Sequence, residues 1–164
     1  MVLLVLAIAA CHAGGEYQGS SMTAAAANDP GETNGRMFDF VSDKPDGDDW
    51  QIRLRGTSMW VSYSKDSKSD DLGGAKNLTE DESVKVWNMV DGLDIPTRQK
   101  KAKKGKVDDD NGTVTMRLRE PTDEGPHDVY TVVVSRDTDD EDIIALGNYL
   151  RKLVEKHFKE QPNF

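Results

Sequence analysis

Trp50-Gln51-Ile52-Arg53-Leu54-Arg55-Gly56-Thr57-Ser58-Met59-Trp60-Val61-Ser62-Tyr63-Ser64 is the stretch that decides the fold class of this 164-residue chain. Trp50, Ile52 and Leu54 alternate with Gln51, Arg53 and Arg55; Met59, Val61 and Tyr63 alternate with Trp60, Ser62 and Ser64. A period of two places each apolar set on one face of a strand. Gly56-Thr57 between them suits a two-residue type II′ turn, which takes glycine first. Folding about that turn sets Leu54 opposite Met59, Ile52 opposite Val61 and Trp50 opposite Tyr63. All six apolar side chains then share a face. A slip of one residue would turn one strand's set to the wrong side, so the register is specified.

Upstream, Arg36 to Ser42 reads as a short strand through Met37, Phe38 and Phe40. The turn cluster Asp43-Lys44-Pro45-Asp46-Gly47-Asp48-Asp49 follows it. Downstream, a polar Ser/Asp/Lys/Gly loop leads to Thr79-Glu80-Asp81-Glu82, a capping box with Thr79 as N-cap and Glu82 three residues on. The spacing predicts a helix to about Asp91 that buries Val86, Trp87, Val90 and Leu93 and is ended by Gly92 and Pro96. A charged loop comes next, basic from Arg98 to Lys106 and acidic at Asp108, Asp109 and Asp110. Strands near Thr113–Arg119 and Asp128–Arg136 make a second hairpin across a loop with Pro121, Gly125 and Pro126. The last helix begins after Asp137 or Thr138, where Asp139, Asp140 and Glu141 suit the positive end of the helix dipole. Ile143, Leu146, Gly147, Leu150, Val154 and Phe158 recur at helical spacing and mark its core face. The predicted order is β-ββ-α-ββ-α. It describes one α+β domain, about residues 36–160, with an antiparallel sheet of four to five strands and two helices on one face.

The formal charge is −9, from 30 acidic and 21 basic residues. That balance argues against general affinity for nucleic acid or an anionic membrane. One composite feature runs against it. If the helices cover the face with Trp50, Ile52, Leu54, Val61, Val114, Met116 and Leu118, the other face shows Arg53, Arg55, Trp60, Arg117 and Arg119. Arg53 lies directly opposite Trp60, a geometry that permits cation–π stacking. This basic-aromatic face is the candidate binding surface, for an acidic protein or an anionic envelope polymer. The plainer reading is a solvated face with ordinary cross-strand pairs.

Motifs for catalysis or metal binding are missing. His12, His127 and His157 have no second histidine at ligand spacing, and HExxH is absent. His157 could share a helical face with Glu160, although a surface histidine is the simpler reading. There is no G-x-S-x-G elbow, and Cys11 is misplaced for a Cys–His pair. Asp46-Gly47-Asp48-Asp49 and Asp108-Asp109-Asp110-Asn111-Gly112 invite a calcium reading. With Gly112 at loop position six, however, Val107 falls at position one, where a carboxylate is needed. Lys100-Lys101-Ala102-Lys103-Lys104-Gly105-Lys106 could touch anionic lipid or polymer, or pair loosely with the aspartates beside it. The sequons Asn77-Leu78-Thr79 and Asn111-Gly112-Thr113 are taken as chance. The expectation is a protein that is not an enzyme and uses neither metal nor cofactor.

Cys11 is the only cysteine, and it follows the uncharged apolar run Met1 to Ala10. A run of about ten residues is too short to span a bilayer, which takes roughly 20 helical residues. It has the length of a signal-peptide h-region. Ile8-Ala9-Ala10-Cys11 resembles a bacterial lipobox, where a prolipoprotein is diacylated on cysteine and cut just before it. The resemblance implies a signal peptide over residues 1–10, palmitate-type acylation of Cys11 and a cell-envelope location anchored by membrane lipid. His12 in place of Asp would permit sorting to an outer membrane. No Lys or Arg precedes the run, and a start upstream of Met1 would account for that. Ala7-Ile8-Ala9 also fits ordinary secretory cleavage, which would leave Cys11 a free thiol. Residues 12–35 are rich in Gly, Ala, Ser and Thr and read as a flexible tether with a reach of roughly 27 Å.

The element order is also similar to that of emfourin-type inhibitors of thermolysin-like metalloproteases: a hairpin, a helix opening at Leu78-Thr79, a second hairpin and a last helix. That resemblance implies an inhibitor of an extracellular metalloprotease as the alternative to a non-catalytic, lipid-anchored binding module.

Overall fold

A computed structural model describes residues 35–45, 48–65, 68–101, 110–123 and 126–164. The expected signal segment, Cys11, the tether before Gly35 and the stretch from Ala102 to Asp109 lie outside the described residues.

Among the described residues, seven strands form one antiparallel sheet: β1 Met37–Asp43, β2 Asp48–Arg55, β3 Ser58–Lys65, β4 Lys68–Asp71, β5 Lys76–Asn77, β6 Thr113–Glu120 and β7 Asp128–Ser135. Their order is β4-β3-β2-β1-β6-β7, with β5 pairing farther along the β3 edge. The described residues hold three helices, one more than expected: α1 Glu80–Gly92, α2 Ile95–Lys101 and α3 Glu141–Phe158. The class is α+β with an antiparallel sheet. The sheet is six strands wide, not four to five, because the polar loop after β3 contributes its own short edge segments.

The β2–β3 hairpin has the register its sequence dictates: Leu54 with Met59, Ile52 with Val61 and Trp50 with Tyr63. Gly56 takes a φ of 54° at the turn, where Thr57 needs no positive φ, as expected when glycine comes first. β1 extends the pattern, with Phe38 and Phe40 beside Leu54 and Ile52 on one side and beside Leu118 and Met116 on the other. These side chains are buried together with Val86, Trp87 and Val90 of α1 and with Ile143, Leu146, Leu150 and Val154 of α3. Each such side chain contributes roughly 1.5–3 kcal/mol by leaving water. Helix α1 docks on the hairpin turn, where Trp87 Nε1 donates to the Gly56 carbonyl at 2.9 Å.

Both long helices are capped as the sequence dictates in kind. The Thr79 amide donates to Glu82 Oε2 at 2.9 Å and the Glu82 amide to Thr79 Oγ1 at 3.3 Å. Asp140 caps α3 two to three residues later than expected, accepting from the Ile143 amide. Pro96 does not end a helix. It sits in the first turn of α2, where its missing N–H is not needed. Asp94, at a φ of 46°, makes the corner between α1 and α2. Helix α2 lies along β7, and its Gln99 Oε1 accepts from the Thr131 amide of that edge strand.

The domain is fastened where it begins. Arg36, 4% exposed, places Nη2 2.5 Å from Asp91 Oδ1 and 2.9 Å from Glu120 Oε1. Its guanidinium lies 5.0 Å from the centroid of the Trp87 ring. At the far end, Phe164 packs against Phe40 with ring centroids 5.1 Å apart.

Candidate functional site

Strand alternation puts Arg53 and Arg55 of β2, Trp60 of β3, and Arg117 and Arg119 of β6 on the sheet face opposite the buried side chains. The expected basic-aromatic residues therefore share one face, but they do not form a uniform array of free charges. Asp39 of β1 stands between Arg53 and Arg117 in the register. Its side chain is only 3% exposed, with Oδ1 2.6 Å from Arg53 Nε and Oδ2 3.0 Å from Arg119 Nη2.

The stacking of Arg53 on Trp60 that the register permits gives way to a bond with this carboxylate. The two residues are directly paired, yet the guanidinium turns to Asp39. A charge-assisted hydrogen bond contributes about 1.5–3 kcal/mol and spares a buried carboxylate from isolation. An exposed cation–π contact contributes about 0.5–1 kcal/mol. Among the described residues, cation–π contacts form elsewhere, at Arg36–Trp87, Lys76–Phe158, Lys85–Tyr149 and Arg151–Phe164.

With Arg53 and Arg119 engaged by Asp39, the other two arginines are left over. Arg117 is exposed, and neither it nor Arg55 has an ion-pair partner among the described residues. Arg55 Nε is itself out of contact with solvent and without an acceptor. Arg53, Arg55, Met37, Gln51, Ser62, Trp60 and Asp71 surround an open depression of about 410 Å³. A break in the sheet edge lies beside it. β4 pairs with β3 up to Asp71 opposite Ser62, and β5 resumes at Lys76 opposite Met59. The Leu72 amide still donates to the Val61 carbonyl at 3.0 Å, and Gly73-Gly74-Ala75 then leaves the edge, with Gly73 and Gly74 at φ of 76° and 75°. Trp60 stands at that break, half-buried.

Other singled-out residues fall elsewhere. His157 does not pair with Glu160. Its Nε2 lies 3.0 Å from Glu82 Oε2, and Lys156 Nζ lies 2.6 Å from Glu82 Oε1, which joins α3 to the capping box of α1. Burial pushes the Glu82 carboxyl up, but hydrogen bonds from Lys156, Thr79 and His157 outweigh it. They hold the group at about 2, below the ordinary 4.5. Asp43, Asp49 and Asp110 line a second concavity at the opposite end of the sheet with Lys44 and Gly112. There burial, with Asp49 adding to it, pushes the Asp43 carboxyl up. Among the described residues, no group of three or more His, Cys, Asp or Glu side chains is close enough to hold a metal ion. No described helix is long and apolar enough to cross a membrane. Lys100 lies in α2, and the rest of its basic run, apart from Lys101, falls outside the described residues.

Sequence reasoning missed Asp39, Met37 and Asp71. Asp39 was signalled only by its place in Met37-Phe38-Asp39-Phe40, which fixes its face but not its neighbouring strands. No model of a known protein family matches the chain, and no curated protein matches it.

Proposed function

We propose that this chain is a lipid-anchored protein of a bacterial cell envelope whose α+β domain binds a partner through the open face of its sheet, without catalysis. The lipobox-like Ile8-Ala9-Ala10-Cys11 supports the anchor. Binding rests on one observation: in a chain of net charge −9, two arginines without ion-pair partners among the described residues lie on the sheet face that the two long helices do not cover, one of them beside Trp60.

Two measurements test the two halves. Metabolic labelling with a fatty-acid analogue should mark the wild-type chain and leave Cys11→Ser unmarked. Label on both, or on neither, removes the anchor. Purified protein should retain anionic envelope material, and Arg55→Ala combined with Arg117→Ala should release it while far-UV circular dichroism stays unchanged. A double variant that retains the material as the parent does removes the open face from the proposal.

A further inference from the structure

We infer that the depression around Arg55 and Trp60 takes an acidic saccharide, a glycan whose sugars carry carboxylate groups. This rests on the proposal that the open face is a binding surface, and it names the ligand.

Charge sets the first limit. Arg53 and Arg55 bring two positive charges to the depression, but Arg53 is bound to Asp39 and Asp71 stands on the rim. What remains suits one singly charged group at a time, not a dense run of negative charge. The free guanidinium of Arg55 offers the planar fork that a carboxylate accepts in bidentate fashion.

The other walls carry the second argument. Trp60 offers a flat apolar surface with an indole N–H, and Met37 closes the opposite side. Gln51 both donates and accepts, Ser62 does the same, and Asp71 only accepts when ionised. An acceptor-only group at the rim is matched by a ligand with hydroxyl or N–H donors close to its acid. A sugar ring carries its carboxylate, several hydroxyls and a C–H face within one residue. An acidic peptide side chain extends its carboxylate from a flexible stem, and its own donors, the backbone N–H groups, lie at the other end of that stem. A volume of about 410 Å³ lies at the small end of sites that hold small molecules.

Trp60 is half-buried whereas Trp50 and Trp87 are buried, so tryptophan fluorescence reports on this site. The full chain should be titrated with a uronic-acid tetrasaccharide, with the same tetrasaccharide after reduction of its carboxylates, and with a tetraglutamate peptide. The uronate should change the emission, and Trp60→Phe should abolish the change. Arg55→Gln and the neutral sugar should each bind about tenfold more weakly, the loss expected for one charge-assisted contact. Unaltered urea midpoints for both variants establish that they are folded. Equal or tighter binding of tetraglutamate would overturn the saccharide and leave an acidic protein on the same face. Equal binding of the neutral sugar, or no binding of the uronate, would also overturn it. Retention of envelope material that depends on Arg55 and Arg117 would show that the open-face proposal survives that failure.

Discussion

Glu82 does two jobs with one carboxylate. It closes the capping box of α1 and receives Lys156 and His157 from α3. Its pKa is about 2 in the folded domain against an ordinary 4.5, so the folded state binds its proton less readily than the unfolded chain. The stability it contributes is therefore complete above about 4.5 and is lost as pH falls towards about 2. Urea midpoints measured across that window should fall more steeply for the wild type than for Glu82→Gln. Parallel curves would show that the carboxylate is not responsible. Half of this arrangement was legible in the sequence. Thr79-Glu80-Asp81-Glu82 announces a capping box by spacing alone, whereas the pairing of residue 82 with residues 156 and 157 depends on how two helices lie together. Asp39 was hidden for the same reason, since its partners belong to strands whose adjacency no local pattern encodes.

Elements with side-chain periodicity could be read, and those built on backbone pairing could not. The β2–β3 hairpin carries six alternating apolar residues and left one register open to it. β4 and β5, spelled Lys-Ser-Asp-Asp and Lys-Asn, hold no alternation and exist because the β3 edge offers hydrogen-bonding groups to satisfy. Helix α2 has one large apolar residue, Ile95, and a proline that reads as a stop signal in a chain met without its fold. Two glycines separate backbone demand from packing at this scale. Gly112 has a φ of 88°, and a Cβ there would meet the Asp43 carbonyl oxygen at 2.1 Å. Gly147 lies inside α3, where a Cβ would rest 3.8 Å from Phe40 Cζ, an ordinary contact. Gly112→Ala should lower the melting temperature, while Gly147→Ala should raise stability by up to about 1 kcal/mol through helix propensity. Thermal denaturation of both checks this, and a reversed order would mean that the β1–β6 end is not tightly packed.

At the scale of the molecule, the two long helices pack on the apolar face of the sheet, α2 lies along β7, and the opposite face carries charged side chains, some of them paired. Positive charge without an ion-pair partner among the described residues stands at Arg55 and Arg117, and aspartates gather at the Asp43–Asp49 end. An attraction carried by exposed arginines is screened by salt, the Debye length shrinking from about 8 Å at 0.15 M to about 3 Å at 1 M. Binding of anionic envelope material should therefore weaken steadily over that range, followed by pull-down or by tryptophan emission. Salt-insensitive binding would assign the affinity to apolar contact with Trp60 and Met37 instead. The sheet edges are covered by different means, β7 at Thr131 by Gln99 of α2 and β3 by two short segments with a gap between them.

The Arg36 clasp gives the domain a mechanical character. Any tug arriving along the chain ahead of Gly35 first meets a guanidinium gripped by Asp91, Glu120 and the Trp87 ring. Behind it comes β1, an inner strand flanked by β2 and β6. To leave the sheet it must break rungs on both flanks, whereas a strand at the rim has one set to lose.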